Sequence, residues 1–241
     1  MEYGLQLYSI RDLGAKSFED TLKCASELGY SFVETAGFGG KTADDVKALL
    51  EKYNLKLSST HSGYPDLVNN YEETLAFHKT IGNKNYIIPG HRMKCQADID
   101  DFVEKINPLC DKMAAEGITL GYHNHHWEFI PNEDGSVVFE QLLYRTKLKL
   151  EVDTYWAFVG MKNPVALLER VGERLHFIHI KDGSAAGNGK PLGMGEAPVS
   201  DVYKWAKEHN IPMVVESETC TPSGPAEAEI CINYLRSLEK E

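Results

Sequence analysis

Along most of the chain, short apolar runs alternate with longer stretches whose apolar residues recur at helical spacing. Tyr3 to Ile10 alternates apolar residues with Gln6 and Tyr8 and predicts a first strand. Ser17 then caps a helix carrying Phe18, Leu22, Ala25 and Leu28, which Gly29 closes. Ser31 to Thr35 predicts a second strand, and Asp44 to Tyr53 a helix ended by Asn54. The grammar repeats with strand Leu55 to Thr60 ending at His61, helix Tyr71 to Ile81, and strand Tyr86 to Ile88 ending at Pro89-Gly90-His91. A helix from about Asp98 to Glu116 holds Pro108, whose ring should kink it. Ile118 to Tyr122 leads into the polar cluster His123-Asn124-His125-His126-Trp127-Glu128, and Val137 to Tyr144 predicts a short helix.

The next unit is the most informative. Leu148 to Asp153 is an alternating run ending in a carboxylate, a helix follows with Asn163 as cap and Pro164 at its first position, and a second run ends at His179. Gly183 to Gly195 is a long glycine-rich loop, of which Gly187 to Gly195 is expected to be a mobile lid over the substrate. Its Gly187-to-Gly195 portion lacks the Ser/Thr of a phosphate loop, having Pro191 there instead. Helix Ser200 to His209, strand Pro212 to Val215 ending at Glu216, and helix Ala226 to Leu238 complete the chain.

Eight strand-helix units in 241 residues predict an α/β chain forming one closed parallel (β/α)8 TIM barrel over residues 1–241, close to the ~250 residues usual for that fold. A doubly wound open sheet is the runner-up, but Ser9 to Gly14 is not the glycine-rich first turn it would carry. No apolar run approaches the ~20 residues of a membrane span, and no basic-then-apolar leader opens the chain, so a cytoplasmic protein is expected. The net charge of -11 would repel a phosphate backbone, which speaks against nucleic acid. Five cysteines without CxxC spacing are expected to be buried free thiols.

Strand ends in this scheme present His61, His91, His123, His125, Asp153, His179 and Glu216. In a parallel barrel those ends converge on one crevice, so residues far apart in sequence become neighbours. A mixed set of imidazoles and carboxylates suits one divalent metal such as Mn2+, Mg2+, Co2+ or Zn2+; the alternative is an ion-pair network. Trp127, Tyr155 and Trp156 flank these residues and are candidates to stack on a sugar ring.

The motifs Gln6-Leu-Tyr, Gly29-Tyr30 before a strand with Glu34, His61 after a serine-threonine strand, Tyr122-His-Asn-His, Asp153-Thr-Tyr-Trp, His179-Ile-Lys-Asp and Val215-Glu216 occur in that order over the whole chain. Together they resemble the sugar phosphate isomerase/epimerase family with its xylose isomerase-like barrel. The resemblance implies one divalent metal held by Glu, Asp, His and Glu, and Asp153, His179 and Glu216 match three of these positions. The fourth departs: His123 stands where such epimerases carry a glutamate, unless Glu128 folds back to serve. That departure puts a symmetrical two-glutamate mechanism in question.

The metal would polarise a carbonyl and stabilise the enediolate formed when the adjacent carbon loses its proton. Returning that proton gives an epimer or an isomer, whereas expelling a β-substituent gives a lyase of the inosose dehydratase or 3-keto-glycoside eliminase kind. The expected roles are Glu216 as base, with His125, Glu128 and Lys181 as acid or second base. His123, Asp153, His179 and Glu216 are the expected metal ligands, and Gln6, Glu34, His61, His91, Trp127 and Trp156 the expected substrate contacts. A sugar or cyclitol is the expected partner, and a homo-oligomer is left open. Rival readings are an endonuclease IV-like repair enzyme and a sugar-binding barrel without activity.

Overall fold

In the computed structural model, which describes residues 1–240, the apolar runs lie side by side as parallel strands. These are β1 (Gly4–Gln6), β2 (Phe32–Ala36), β3 (Lys56–His61), β4 (Asn85–Ile88), β5 (Thr119–His123), β6 (Lys149–Asp153), β7 (Leu175–Ile180) and, after a small hairpin of β8 (Asp182–Gly183) and β9 (Gly189–Lys190), β10 (Met213–Val215). Each barrel strand pairs with its sequence neighbours, and Gly4 opposite Val214 closes the ring. The expected eight-stranded α/β barrel is what forms.

Period-two alternation sorts the side chains of each strand between two environments. Val33, Val152, Ile178 and Ile180 belong to a continuous outer core with the helices, whereas Phe32, Ile87, Phe177 and Val214 are buried outside that cluster and fill the barrel interior. Gly4 makes room there, because any Cβ would run into the Phe32 ring. Two residues further along the same strands, on the same inward face, come Glu34, His179 and Glu216. Barrel interiors are ordinarily packed with branched apolar residues. Here the packing turns polar toward the carboxyl ends of the strands.

Several boundaries differ from the sequence reading, each for a local reason. The first strand stops at Gln6 rather than Ile10, because the Gln6 side chain accepts from the Tyr8 N–H at 3.0 Å and turns Leu7–Ile10 into a 3-10 helix. Helix Gln96–Ala115 carries Pro108 inside it without ending there. An added helix, Thr154–Val159, exists because Asp153 caps it, accepting from the Trp156 N–H at 2.7 Å. The Asn163 cap forms as expected and accepts from Ala166 N–H. All five cysteines are free; Cys110 and Cys231 are buried, and the other three are half-buried. No helix among the described residues is long and apolar enough to cross a membrane.

The glycine-rich loop is gathered around one carboxylate. Asp182, buried, accepts from the backbone N–H of Gly183 (2.7 Å) and Ala197 (3.1 Å) with one oxygen and from Gly193 and Gly195 (both 2.9 Å) with the other. Such charge-assisted bonds are the strong ones. Asp182→Ala should therefore destabilise the fold by roughly 2–4 kcal/mol, read as a lowered urea midpoint.

A second prediction concerns His78, which is buried on helix Tyr71–Thr80 among Phe38, Phe77 and Tyr86. Its Nδ1 accepts from Asn83 at 3.1 Å, and burial pushes its pKa down to about 4. The folded state thus holds the ring neutral. Its stabilising contribution is full above the unfolded value near 6.5, is lost as pH falls toward 4, and stays lost below that. The loss amounts to about 3 kcal/mol, and His78→Leu should flatten that portion of the stability-against-pH curve.

Candidate metal centre

Strand register brings the expected ligands to one height. Asp153 ends β6 opposite His179 on β7, His123 ends β5, and Glu216 follows β10 directly. All four are buried, and one donor atom from each lies within 4.8 Å of the other three. His123 Nε2 stands 3.6 Å from Asp153 Oδ2, and His179 Nδ1 stands 3.3 Å from Glu216 Oε2. Glu128 is not in the group. Its oxygens accept from the Tyr122 hydroxyl (3.0 Å) and the His125 N–H (2.8 Å), so it braces the loop after β5.

Lone pairs here lack protein partners. Both His123 ring nitrogens and Asp153 Oδ2 are buried and make no hydrogen bond among the described residues, while the other Asp153 oxygen is spent on its helix cap. Leaving such groups bare costs about 1–3 kcal/mol each. A divalent cation accepts lone pairs of this mixed nitrogen and oxygen kind, so the residues present fit one.

Lys181 supplies the positive charge among these groups. Its ammonium, fully buried, lies 3.1 Å from Glu216 Oε2, 2.8 Å from Glu218 Oε1 and 3.8 Å from Asp153 Oδ2. Burial works against ionising Glu216, but Lys181 and His179 overcome it and hold its carboxyl well below the usual range. Burial likewise works against the Lys181 ammonium, and Glu216, Asp153 and Glu218 outweigh it. His123 and His125 are kept neutral chiefly by burial, the latter pushed down to about 2.

A second polar layer lies beneath. Glu34, wholly buried, is 2.7 Å from His179 Nε2 and 3.1 Å from His61 Nε2; Glu151 is 2.7 Å from His61 Nε2 and 3.3 Å from His179 Nε2. The expected substrate contacts Gln6 and Glu34 thus sit below the crevice, bonded to each other at 2.6 Å.

The crevice itself is a cleft of about 410 Å³ lined by Tyr8, Ala36, His61, Pro89, His123, His125, Glu216 and Glu218. A larger hollow of about 700 Å³ around Tyr30 and Leu55 lies at the opposite end of the strands and holds none of these groups. His91 packs on Phe102 and Tyr64 and does not line the cleft. Trp127 does not offer an open face for stacking, because His125 lies parallel to it at 3.9 Å and the Arg92 guanidinium at 3.8 Å. The Trp156 indole N–H is buried without a hydrogen-bond partner among the described residues.

Sequence reasoning missed Glu151 and Glu218. The signal was period two: each stands two residues from a recognised ligand, Asp153 or Glu216.

The comparisons agree with this architecture. Solved structures with this fold include a sugar phosphate isomerase/epimerase from Parabacteroides distasonis, 25% identical over 97% of this chain and 96% of that one, with a TM-score of 0.83. The probable 3-DHS dehydratase of Bacillus anthracis involved in petrobactin synthesis is 15% identical over 97% and 99%, at 0.73. A D-allulose 3-epimerase from Methylomonas sp., in complex with D-allulose, is 18% identical over 98% and 96%, at 0.69. A comparison with curated proteins finds no match. A family model described as xylose isomerase-like TIM barrel matches residues 22–238, and the chain belongs to that family.

Proposed function

We propose that the chain is a divalent-metal-dependent sugar isomerase or epimerase that removes a proton beside the carbonyl of a keto-sugar or cyclitol. The observation that carries this reading is the buried set His123, Asp153, His179 and Glu216, whose lone pairs the protein leaves partly unmatched. When bound there, a divalent cation polarises a carbonyl and stabilises the negative charge left by proton removal. The sugar-bound epimerase among the structural neighbours supports a sugar-sized ligand for the cleft.

The chain's own groups divide the remaining work. Glu216, ionised and lining the cleft, is the base. Lys181 holds Glu216 in place and offsets negative charge gathering beside it. His125 lines the cleft and offers a neutral imidazole as a hydrogen-bonding group for a hydroxyl.

Glu216 and Glu218 are the carboxylates lining the cleft, and both converge on the Lys181 ammonium, so they belong to one wall. Epimerisation needs proton transfer on both faces of a carbon. One charged wall favours moving a proton between neighbouring carbons on a single face. A second reading, dehydration by a lyase, is favoured by the same single wall, on which proton removal and departure of a hydroxyl would take place on one face.

Elemental analysis of the purified protein should find about one divalent metal per chain, lost in Asp153→Ala and Glu216→Ala with the circular dichroism unchanged. With a keto-sugar substrate in deuterated water, the α-proton should exchange, and Glu216→Gln should slow that exchange roughly 10³-fold. Product of unchanged mass supports the isomerase, and product lighter by one water supports the lyase. Absence of bound metal, together with no thermal stabilisation by Mn2+, Co2+, Mg2+ or Zn2+, would sink both.

A further inference from the structure

We infer that Glu34 is a positioning residue for the candidate metal centre: it takes the Nε2–H of His179 and thereby turns the Nδ1 lone pair of that ring toward Glu216. The inference rests on the metal-dependent reading above.

The geometry leaves little freedom. Glu34 lies opposite Gln6 on β1 and opposite Ser59 on β3, so three neighbouring strands present one row of polar side chains. Gln6 Nε2 donates to Glu34 Oε1 at 2.6 Å, and Ser59 Oγ donates to Glu34 Oε2 at 2.6 Å. The Gln6 amide cannot be reversed without loss, because its own Oε1 accepts from the Tyr8 N–H at 3.0 Å. Glu34 is therefore gripped as an acceptor at both oxygens. The proton in its 2.7 Å contact with His179 Nε2 belongs to the imidazole.

A consequence follows at the other nitrogen. In a neutral ring with Nε2–H, Nδ1 is a bare lone pair, and it faces Glu216 Oε2 at 3.3 Å. Two acceptors that close repel unless a positive charge joins them, either a proton on the ring or a cation between the ligands. Metal-binding histidines commonly give their second N–H to a carboxylate, which fixes the tautomer and makes the ligand more basic. Glu34 stands where such a carboxylate belongs.

The rival is a cation in the lower layer, among Glu34, His61, Glu151 and His179, where Glu151 Oε1 is buried without a hydrogen-bond partner among the described residues. That cation would need the Nε2 lone pair of His179. The ring's proton would then sit on Nδ1, and the ring would be lost to the upper group. One neutral imidazole cannot serve both, and the hold of Gln6 and Ser59 on Glu34 favours the upper group.

The test uses the full chain stripped of metal and titrated with Zn2+ at fixed pH against a competing chelator. Glu34→Ala should weaken Zn2+ binding 10–100-fold with the circular dichroism spectrum intact. Glu34→Gln, whose carbonyl still accepts the Nε2–H, should recover most of the affinity. Two-bond 1H–15N spectra of the Zn2+-loaded protein should show His179 as the Nε2–H tautomer in the parent and in Glu34→Gln. Should Glu34→Ala fail to fold, Ser59→Ala removes one holder without touching a charge: several-fold weaker binding supports the inference, and unchanged affinity overturns it. Equal affinity across parent, Glu34→Ala and Glu34→Gln overturns it while leaving the metal-dependent reading intact. Two Zn2+ per chain, one of them lost in Glu151→Gln, overturns it in favour of a cation in the lower layer. No Zn2+ bound by the parent overturns both the inference and the reading it rests on.

Discussion

Negative charge buried inside the barrel is the constraint on which the rest of the structure depends. Above the apolar floor of Phe32, Ile87, Phe177 and Val214, the interior holds the carboxylates of Glu34, Glu151, Asp153 and Glu216. An unpaired ionised carboxylate in such a place costs several kcal/mol. The neighbouring residues answer that cost in different ways. Lys181 gives one ammonium to Glu216, Glu218 and Asp153. His61 and His179 are pushed toward neutrality by burial but drawn to the charged form by Glu34 and Glu151. Glu151 yields instead: burial and the nearby Glu34 push its carboxyl up to about 7. Asp153 spends one oxygen on a helix cap and keeps the other, 3.8 Å from Lys181, without a hydrogen bond among the described residues. In the upper group, His123 and Asp153 keep atoms without a hydrogen bond among the described residues, which is why a cation fits there.

How much of this was legible in the sequence follows from what alternation can and cannot specify. Parallel βα units put the last polar residue of each strand into the crevice, so Asp153, His179 and Glu216 could be found from their runs alone. Alternation also gives the face on which Glu34 and Glu151 lie. It does not give the height at which strands far apart in sequence meet, since that depends on stagger accumulated around the ring, including irregularities between Val33 and Glu34 and between Leu150 and Glu151. The lower layer was invisible for that reason. Glu34 accordingly read as a substrate contact, although both its oxygens are held inside the barrel.

The polar cluster after β5 shows the same limit at shorter range. Residues 123 to 128 offer three imidazoles, an indole and a carboxylate, and sequence spacing cannot say which of them face inward. The 3-10 turn Trp127–Phe129 decides it by folding Glu128 back under Tyr122 and the His125 N–H. His123 is then left as the strand-end donor. His125, Trp127 and Arg92 stack into one layered wall, each ring covering the next.

The dipeptide Lys181-Asp182 joins the site to the loop beyond it. Because alternation turns successive side chains opposite ways, Lys181 points to the carboxylates while Asp182 gathers four backbone N–H groups of residues 183 to 197. A glycine-rich stretch reads as a free lid when only its composition is considered. With both ends tied to the carboxylate next to the site's ammonium, the loop base moves only if Lys181 moves with it. The tip between Ser184 and Asn188 closes on itself through Ser184 N–H to the Asn188 carbonyl. The base of the loop is therefore fixed beside Lys181, next to the site.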